Sequence, residues 1–200
     1  MSSIREVETT RGTARLHADD AVTPRRLLVL GHGAGGGVAA ADLIALAEAL
    51  PASGTSVWRV QQPWKVAGRR VAPAPSILDD AWLQVLALVP DGLPLYVGGR
   101  SAGARVACRT AGVLGARAVV ALAFPLHPPG RPEKSRAAEL AAVDVPTLVV
   151  QGRSDPFGGP DEIPSAPYRR VVAVGGDHSL RADLDGVCAA VASFVQDGQP

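Results

Sequence analysis

The sequence predicts an α/β fold, a mostly parallel sheet covered by helices on both faces. Three observations carry this. From Pro24 onward, short apolar runs and helix-like stretches alternate in a regular βαβα beat. The runs are rich in Val and Leu, as strands buried on both faces should be. Ahead of that beat, segments 4–9 and 13–17 read as an antiparallel pair.

Taken in order, "LLVL" predicts a strand over 27–30, and the glycine loop after it leads into a helix over 39–50. "VWRV" gives a strand at 57–60, and "ILDDAWLQVLAL" a helix over 77–88. "LYVG" predicts a strand at 95–98, followed at once by a helix over 102–114. "AVVALA" is a strand at 118–123, with a shorter helix around 133–141. "TLVVQ" and "RVVAV" predict the last strands, 147–151 and 170–174, before a helix over 184–195. The stretches "VAPAPS" and "FPLHPPGRP" are loops too short to link domains. With 200 residues at 47% hydrophobic and no internal repeat, the chain is expected to form one domain around one sizeable core. Ligands of such a fold bind where the carboxyl ends of the strands meet the loops.

Charge narrows the partners. Lys plus Arg total 20 against 19 Asp plus Glu, a net charge of +1, so no overall field draws the chain to nucleic acid or an anionic membrane. The two cysteines, Cys108 and Cys188, lie in apolar helix-like stretches without the close Cys or His neighbours of a zinc site, and read as core residues. Neither a metal nor a cofactor is expected. "MSSIREVETTRG" lacks the apolar stretch of a signal peptide, and no window approaches the ~18 apolar residues that span a bilayer. The expectation is a cytoplasmic protein.

The chemistry centres on "GGRSAGARVA", residues 98–107, a G-x-S-x-G between a strand and a helix. Flanking glycines allow a sharp turn in which the Ser101 backbone is strained and its hydroxyl stands clear of the sheet. The helix N-terminus beneath it favours negative charge, so the Ala102 amide can donate to an oxyanion. The plainer reading makes Ser101 a helix N-cap.

A serine hydroxyl needs a base, and the chain has four histidines. His17 belongs to the hairpin and His32 to the glycine loop. His178, in "GGDHSL" after the last strand, hangs over the same sheet edge as Ser101, while His127 is the competing base, or a pocket-wall or structural residue of its Pro-rich loop. The acid that fixes the base's tautomer should come from another loop at that edge. Asp155 in "QGRSDPFG" qualifies. Asp144 precedes its strand, and Asp177 is adjacent to His178 and poorly placed to face it.

The loop "LGHGAGGG", with five glycines, lets backbone approach substrate, so Ala34 or Gly33 supplies the second oxyanion donor. It also carries Gly31, Gly33 and Gly36 in dinucleotide-loop register, but the acidic residue that should follow the next strand is missing: Gln61, Gln62 and Pro63 stand there.

These stretches resemble the α/β-hydrolases over about residues 24–194, in the chain order Ser101, Asp155, His178. More closely, "GHGAGGG", "QQPWKVAGRRVAPAP", "GGRSAGARVA", "FPLHPPGRPEK", "VVQGRSDPFG" and "GGDHSL" are similar to the small dienelactone-hydrolase-like branch. That branch includes a testis-expressed animal protein and a subunit of a histone-acetyltransferase complex. The resemblance implies an α/β-hydrolase fold with Ser101, Asp155 and His178 as its catalytic set. One difference is that dienelactone hydrolases proper carry a cysteine at the position of Ser101.

Larger hydrolases insert a helical lid after the strand that follows the nucleophile helix. Here only "FPLHPPGRPEKSRAAELAAVDVP" separates that strand from Thr147, so a minimal lid and a shallow, open pocket are expected. Trp64 should line the pocket mouth with His127 or anchor its loop on the core, and Arg69, Arg70, Arg100 and Arg105 are near enough to orient an acidic substrate or stand as solvated surface residues. Two functions follow: a serine hydrolase acting on a small ester or thioester, and a non-catalytic binding or scaffold protein on the same fold. The sequence leaves oligomeric state open.

Overall fold

The computed structural model describes residues 2–197. Its elements, in chain order, are β1 (Ser2–Thr9), β2 (Gly12–Asp19), β3 (Arg26–Gly31), α1 (Ala41–Ala49), β4 (Thr55–Gln61), α2 (Pro63–Val66), α3 (Pro75–Leu86) and β5 (Leu95–Arg100). There follow α4 (Ala102–Thr110), β6 (Ala118–Leu122), α5 (Ala137–Ala141), β7 (Thr147–Gly152), β8 (Arg169–Val174) and α6 (Leu184–Asp197). The strands form one eight-stranded sheet in the order β1-β2-β4-β3-β5-β6-β7-β8. β1 and β2 form an antiparallel hairpin, β2 pairs antiparallel with β4, and every later pair is parallel.

The side-chain alternation of a strand divides the core in two. Leu27, Val29, Val119, Ala121 and Val149 face a layer built by α3, α4 and the α5 residue Leu140. Leu28, Leu30, Val120, Leu122, Leu148 and Val150 face α1 and α6, where Leu43, Leu46, Val191 and Phe194 meet them. Both faces being covered is why these strands read as continuous apolar runs.

Three elements differ from the expectation. The helix over 102–114 stops at Thr110, and the chain turns through Gly112 and a left-handed Gly115 (φ 58°), with the Ala116 amide closing on the Ala111 carbonyl. Glycine at such a terminus satisfies otherwise unpaired carbonyls without a Cβ penalty. The stretch over 133–141 divides into a 3-10 turn, Pro132–Lys134, and the one-turn α5. The short α2 has no counterpart among the expected elements. Pro63 opens it at the first helical position, where a missing N–H costs nothing. No helix among the described residues is long and apolar enough to cross a membrane.

Because β3 and β5–β8 run parallel, the loops leaving their carboxyl ends collect at one edge of the sheet. These are the glycine loop, the β5–α4 turn, the segment after β6, and the loops after β7 and β8.

Candidate active site

The β5–α4 turn is as tight as main chain allows. Ser101 adopts φ 53°, ψ −110°, a strained conformation for a residue with a Cβ. Its amide donates to the Leu122 carbonyl (2.9 Å), tying the turn to the end of β6. Glycine is required beside it: a Cβ on Gly99 would fall 2.4 Å from the Gly31 carbonyl oxygen. Ser101 thus stands at the N-terminus of α4, whose first amides have no intrahelical acceptor.

The loops after β7 and β8 meet the serine. His178 Nε2 lies 3.0 Å from Ser101 Oγ, and His178 Nδ1 lies 2.8 Å from Asp155 Oδ2. A carboxylate can only accept, so Nδ1 carries the proton and Nε2 is left to accept from the hydroxyl. Asp155 is almost fully buried, and its other oxygen accepts the Phe157 amide at 2.8 Å. The Phe157 ring lies against the imidazole, 4.2 Å between centroids. Asp177, the sequence neighbour, instead accepts the Ser179 amide in its own turn, and its pKa is lowered by its bonds to Ser179.

Residues that no motif marked support this arrangement. Gln151 is fully buried. Its amide nitrogen donates to Asp155 Oδ2 (3.0 Å) and to the Gly158 carbonyl (2.7 Å), while its oxygen accepts the Phe124 amide (2.9 Å). Gly152 lets the two loops touch, since a Cβ there would lie 2.4 Å from the Asp177 carbonyl oxygen. Only the composition of "VVQG" hinted at either.

The glycine loop packs directly on the serine: a Cβ on Gly33 would lie 3.4 Å from Ser101 Cβ. His32 sets its orientation. Buried beneath the loop, His32 accepts the Gln62 amide on Nε2 (3.2 Å), so Nδ1 donates to the Gly33 carbonyl (2.9 Å). Burial lowers the His32 pKa and keeps the ring neutral. With that carbonyl drawn down to His32, the amide of Ala34, across the same trans peptide, points the opposite way.

Trp64 anchors its segment on the core. It is 5% exposed in α2, 5.6 Å from the His32 ring, and borders with Gln62, Trp82, Ala102 and Gly103 a narrow crevice of about 10 Å³ at the start of α4, and with Arg69, Pro73 and Ile77 a second of about 70 Å³. Its indole body is better hidden in the core than left in solvent. His127 takes a structural role in its loop. Its Nε2 bonds Glu162 (3.1 Å), its Nδ1 the Pro128 carbonyl (3.0 Å), and its amide the Phe157 carbonyl (3.0 Å), so it clamps the segment after β6 to the loop after β7. His17 stays in β2 opposite Arg59.

Two of the four arginines expected near the site, Arg100 and Arg105, are engaged. Arg105 and Arg109 on α4 share Glu139 of α5, and Arg109 reaches Asp79 of α3 as well. Arg100 is held by Asp42. Arg69 and Arg70 are exposed. Among the described residues no cluster of His, Cys, Asp or Glu has the make-up of a metal site. Cys108 is buried, which pushes its thiol up to about 12, and burial raises Cys188 too.

Comparison with known proteins gives a consistent result. The family model described as an alpha/beta hydrolase domain matches residues 24–186. No curated protein matches the chain at a significant level. Among solved structures, the chain is similar to XC6422 of Xanthomonas campestris, a serine hydrolase described as lacking a lid (TM-score 0.81, 20% identity, 100% of this chain and 95% of that one). It is also similar to Est1E of Butyrivibrio proteoclasticus (0.78, 16%, 98% and 99%). A third likeness is to an alpha-beta serine hydrolase homologue of Coxiella burnetii (0.79, 15%, 96% and 97%).

Proposed function

Since the chain belongs to the α/β-hydrolase family, we propose that it is a serine hydrolase cleaving a small ester or thioester through an acyl-enzyme, with Ser101 as nucleophile, His178 as base and Asp155 as its orienting acid. The observation that carries this is the continuous hydrogen-bonded path from Ser101 Oγ through both imidazole nitrogens to a buried carboxylate.

In this reading Ser101 Oγ attacks the acyl carbon as its proton passes to His178 Nε2. Asp155 holds the ring by Nδ1–H and stabilises the imidazolium that forms. The oxygen of the tetrahedral intermediate is met by the amides of Ala102, at the start of α4, and Ala34, on the glycine loop. His178 then gives its proton to the leaving oxygen or sulfur and leaves the acyl group on Ser101. Water, deprotonated by the same nitrogen, reverses the sequence and frees the acid.

The six stretches shared with the dienelactone-hydrolase-like branch support placing the chain there. The serine in place of the cysteine of dienelactone hydrolases proper favours ester over lactone chemistry. Arg100 and Arg105 have carboxylate partners within the protein, which favours an uncharged acyl group.

A fluorophosphonate probe tests the reading without knowledge of the natural substrate. The wild-type protein should be labelled at Ser101 alone, and Ser101→Ala should lose both labelling and p-nitrophenyl acetate hydrolysis. Absence of labelling in the wild type would favour a binding or scaffold role.

A further inference from the structure

One guanidinium joins three of the loops that build the site. Arg100 ends β5, directly before Ser101, and its side chain is only 14% exposed. Its Nε lies 3.0 Å from Oδ2 of Asp42, a fully buried carboxylate in the first turn of α1. Nη2 donates to the main-chain carbonyl of His178. Nη1 packs beneath the glycine loop, 4.0 Å from where a Cβ on Gly33 would be. The guanidinium therefore reaches the glycine loop, the helix that follows it and the loop carrying the imidazole, while its own backbone leads into the serine.

The pair is a poor device for stability alone. No well-aligned hydrogen bond reaches either Asp42 oxygen, and the Arg100 Nε contact is off the line of one. Burial pushes the Asp42 carboxyl up and the Arg100 charge draws it back down. Well-packed apolar side chains usually serve such a position at least as well. What they cannot supply is a donor for the His178 carbonyl. That carbonyl belongs to the residue whose ring must meet Ser101 Oγ, and a histidine has only two side-chain torsions between main chain and ring. With the main chain held by Arg100, Nδ1 by Asp155 and one ring face by Phe157, the Nε2 position is determined.

We propose that Arg100, anchored by Asp42, is a positioning residue that holds the His178 main chain in register with Ser101 and the glycine loop. The proposal rests on the reading of Ser101, His178 and Asp155 given above. Arginine suits the task because its planar fork serves a carboxylate and a carbonyl at once, whereas lysine offers a single point of charge.

The test uses the full chain, with Arg100→Lys and the double variant Arg100→Met/Asp42→Leu. Melting temperature, kcat and KM for p-nitrophenyl acetate and the rate of fluorophosphonate labelling are measured for each. Arg100→Lys keeps a charge for Asp42 and should fold, with KM within about two-fold of wild type and kcat and labelling rate lower by roughly 10- to 100-fold, the penalty of a displaced reacting group. The folded double variant should lose at least as much. Wild-type kcat in either folded variant overturns the proposal, as does a loss confined to KM, which would make Arg100 a substrate contact. Failure of both variants to fold would assign the pair to the fold and overturn it equally. Absence of labelling in the wild-type protein would instead overturn the underlying reading.

Discussion

A Cβ placed on Gly103 would lie 2.3 Å from the carbonyl oxygen of Gly31. Helix α4 therefore crosses β3 backbone to backbone, and this closeness lets it start directly under the end of the sheet. Neither partner is a flexible side chain, so Gly103→Ala can be accommodated only by moving the helix. It should cost about 1–3 kcal/mol or more and depress activity through the altered Ser101 position. Gly112→Ala, at a site with open space around it, should change stability by no more than about 0.5 kcal/mol. Urea denaturation of the two variants makes the comparison; equal midpoints would contradict it.

The strained backbone of Ser101 predicts that removing the side chain stabilises the protein only when the Cβ goes too. Ser101→Gly relieves the left-handed φ of 53° and Ser101→Ala does not. The glycine variant should be the more stable by about 1 kcal/mol although neither should hydrolyse an ester. A glycine variant no more stable than the alanine one would show the turn to be relaxed.

Asp155→Asn should lower kcat by about 10⁴-fold, because an amide at that position permits the wrong tautomer of His178. Gln151 sharpens the expectation. Its nitrogen already donates to Asp155 Oδ2, as does His178 Nδ1, so an amide nitrogen introduced on that side would face two donors. Steady-state kinetics with p-nitrophenyl acetate measures the effect, and a loss below tenfold would remove Asp155 from its role.

The His127–Glu162 clamp predicts a pH-dependent stability unconnected with turnover. Hydrogen bonds to the Pro128 carbonyl and then to Glu162 raise the His127 pKa, so its contribution is full below about pH 6.5 and fades as pH rises through the raised folded value. Glu162, held by the Gly159 amide and then by His127, is lowered, so its contribution is present above its ordinary value and fades as pH falls through the folded one. Glu162→Gln should therefore lower Tm more at pH 6 than at pH 8.5, by a few degrees at most for a pair whose carboxylate is half exposed, and leave kcat unchanged. An equal Tm loss at both values would exclude the charge as its cause.

Between β6 and β7 the chain makes only a loop, the turn Pro132–Lys134 and the single turn of α5, which Arg105 and Arg109 fasten to α4 through Glu139. Nothing in this segment forms a long apolar tunnel. Each methylene buried in such a tunnel would be worth ~0.8 kcal/mol, whereas an open cleft adds little after the first few carbons. Acyl esters of about two to four carbons should be preferred. A p-nitrophenyl ester series from acetate to laurate decides it; kcat/KM rising steadily past eight carbons would reveal a tunnel.

Much of this architecture was legible because it rests on local signals. A strand buried on both faces writes itself as "AVVAL" or "TLVV", and the glycines around Ser101 mark a turn that other residues cannot make. What the sequence concealed depends on pairs far apart in the chain. Asp42 reads as an ordinary first-turn acid, and only the folded sheet brings it to Arg100. Gln151 looks like the polar end of a strand until the β7 loop folds back over it. Trp64 was ambiguous for the converse reason: next to a proline in a loop-like stretch it suited a pocket wall or a core anchor equally, and the short α2 turns its ring inward.

The burial of Cys108 has a consequence for oxidative stress. A thiol held near 12 is almost never a thiolate at neutral pH, and peroxide attacks the thiolate. The proposed reacting groups, a hydroxyl, an imidazole and a carboxylate, contain no sulfur at all. Where a cysteine-dependent hydrolase would be silenced by its own nucleophile becoming a sulfenic acid, this chain has nothing at the corresponding position to oxidise, and its turnover should persist through exposures that arrest such a counterpart.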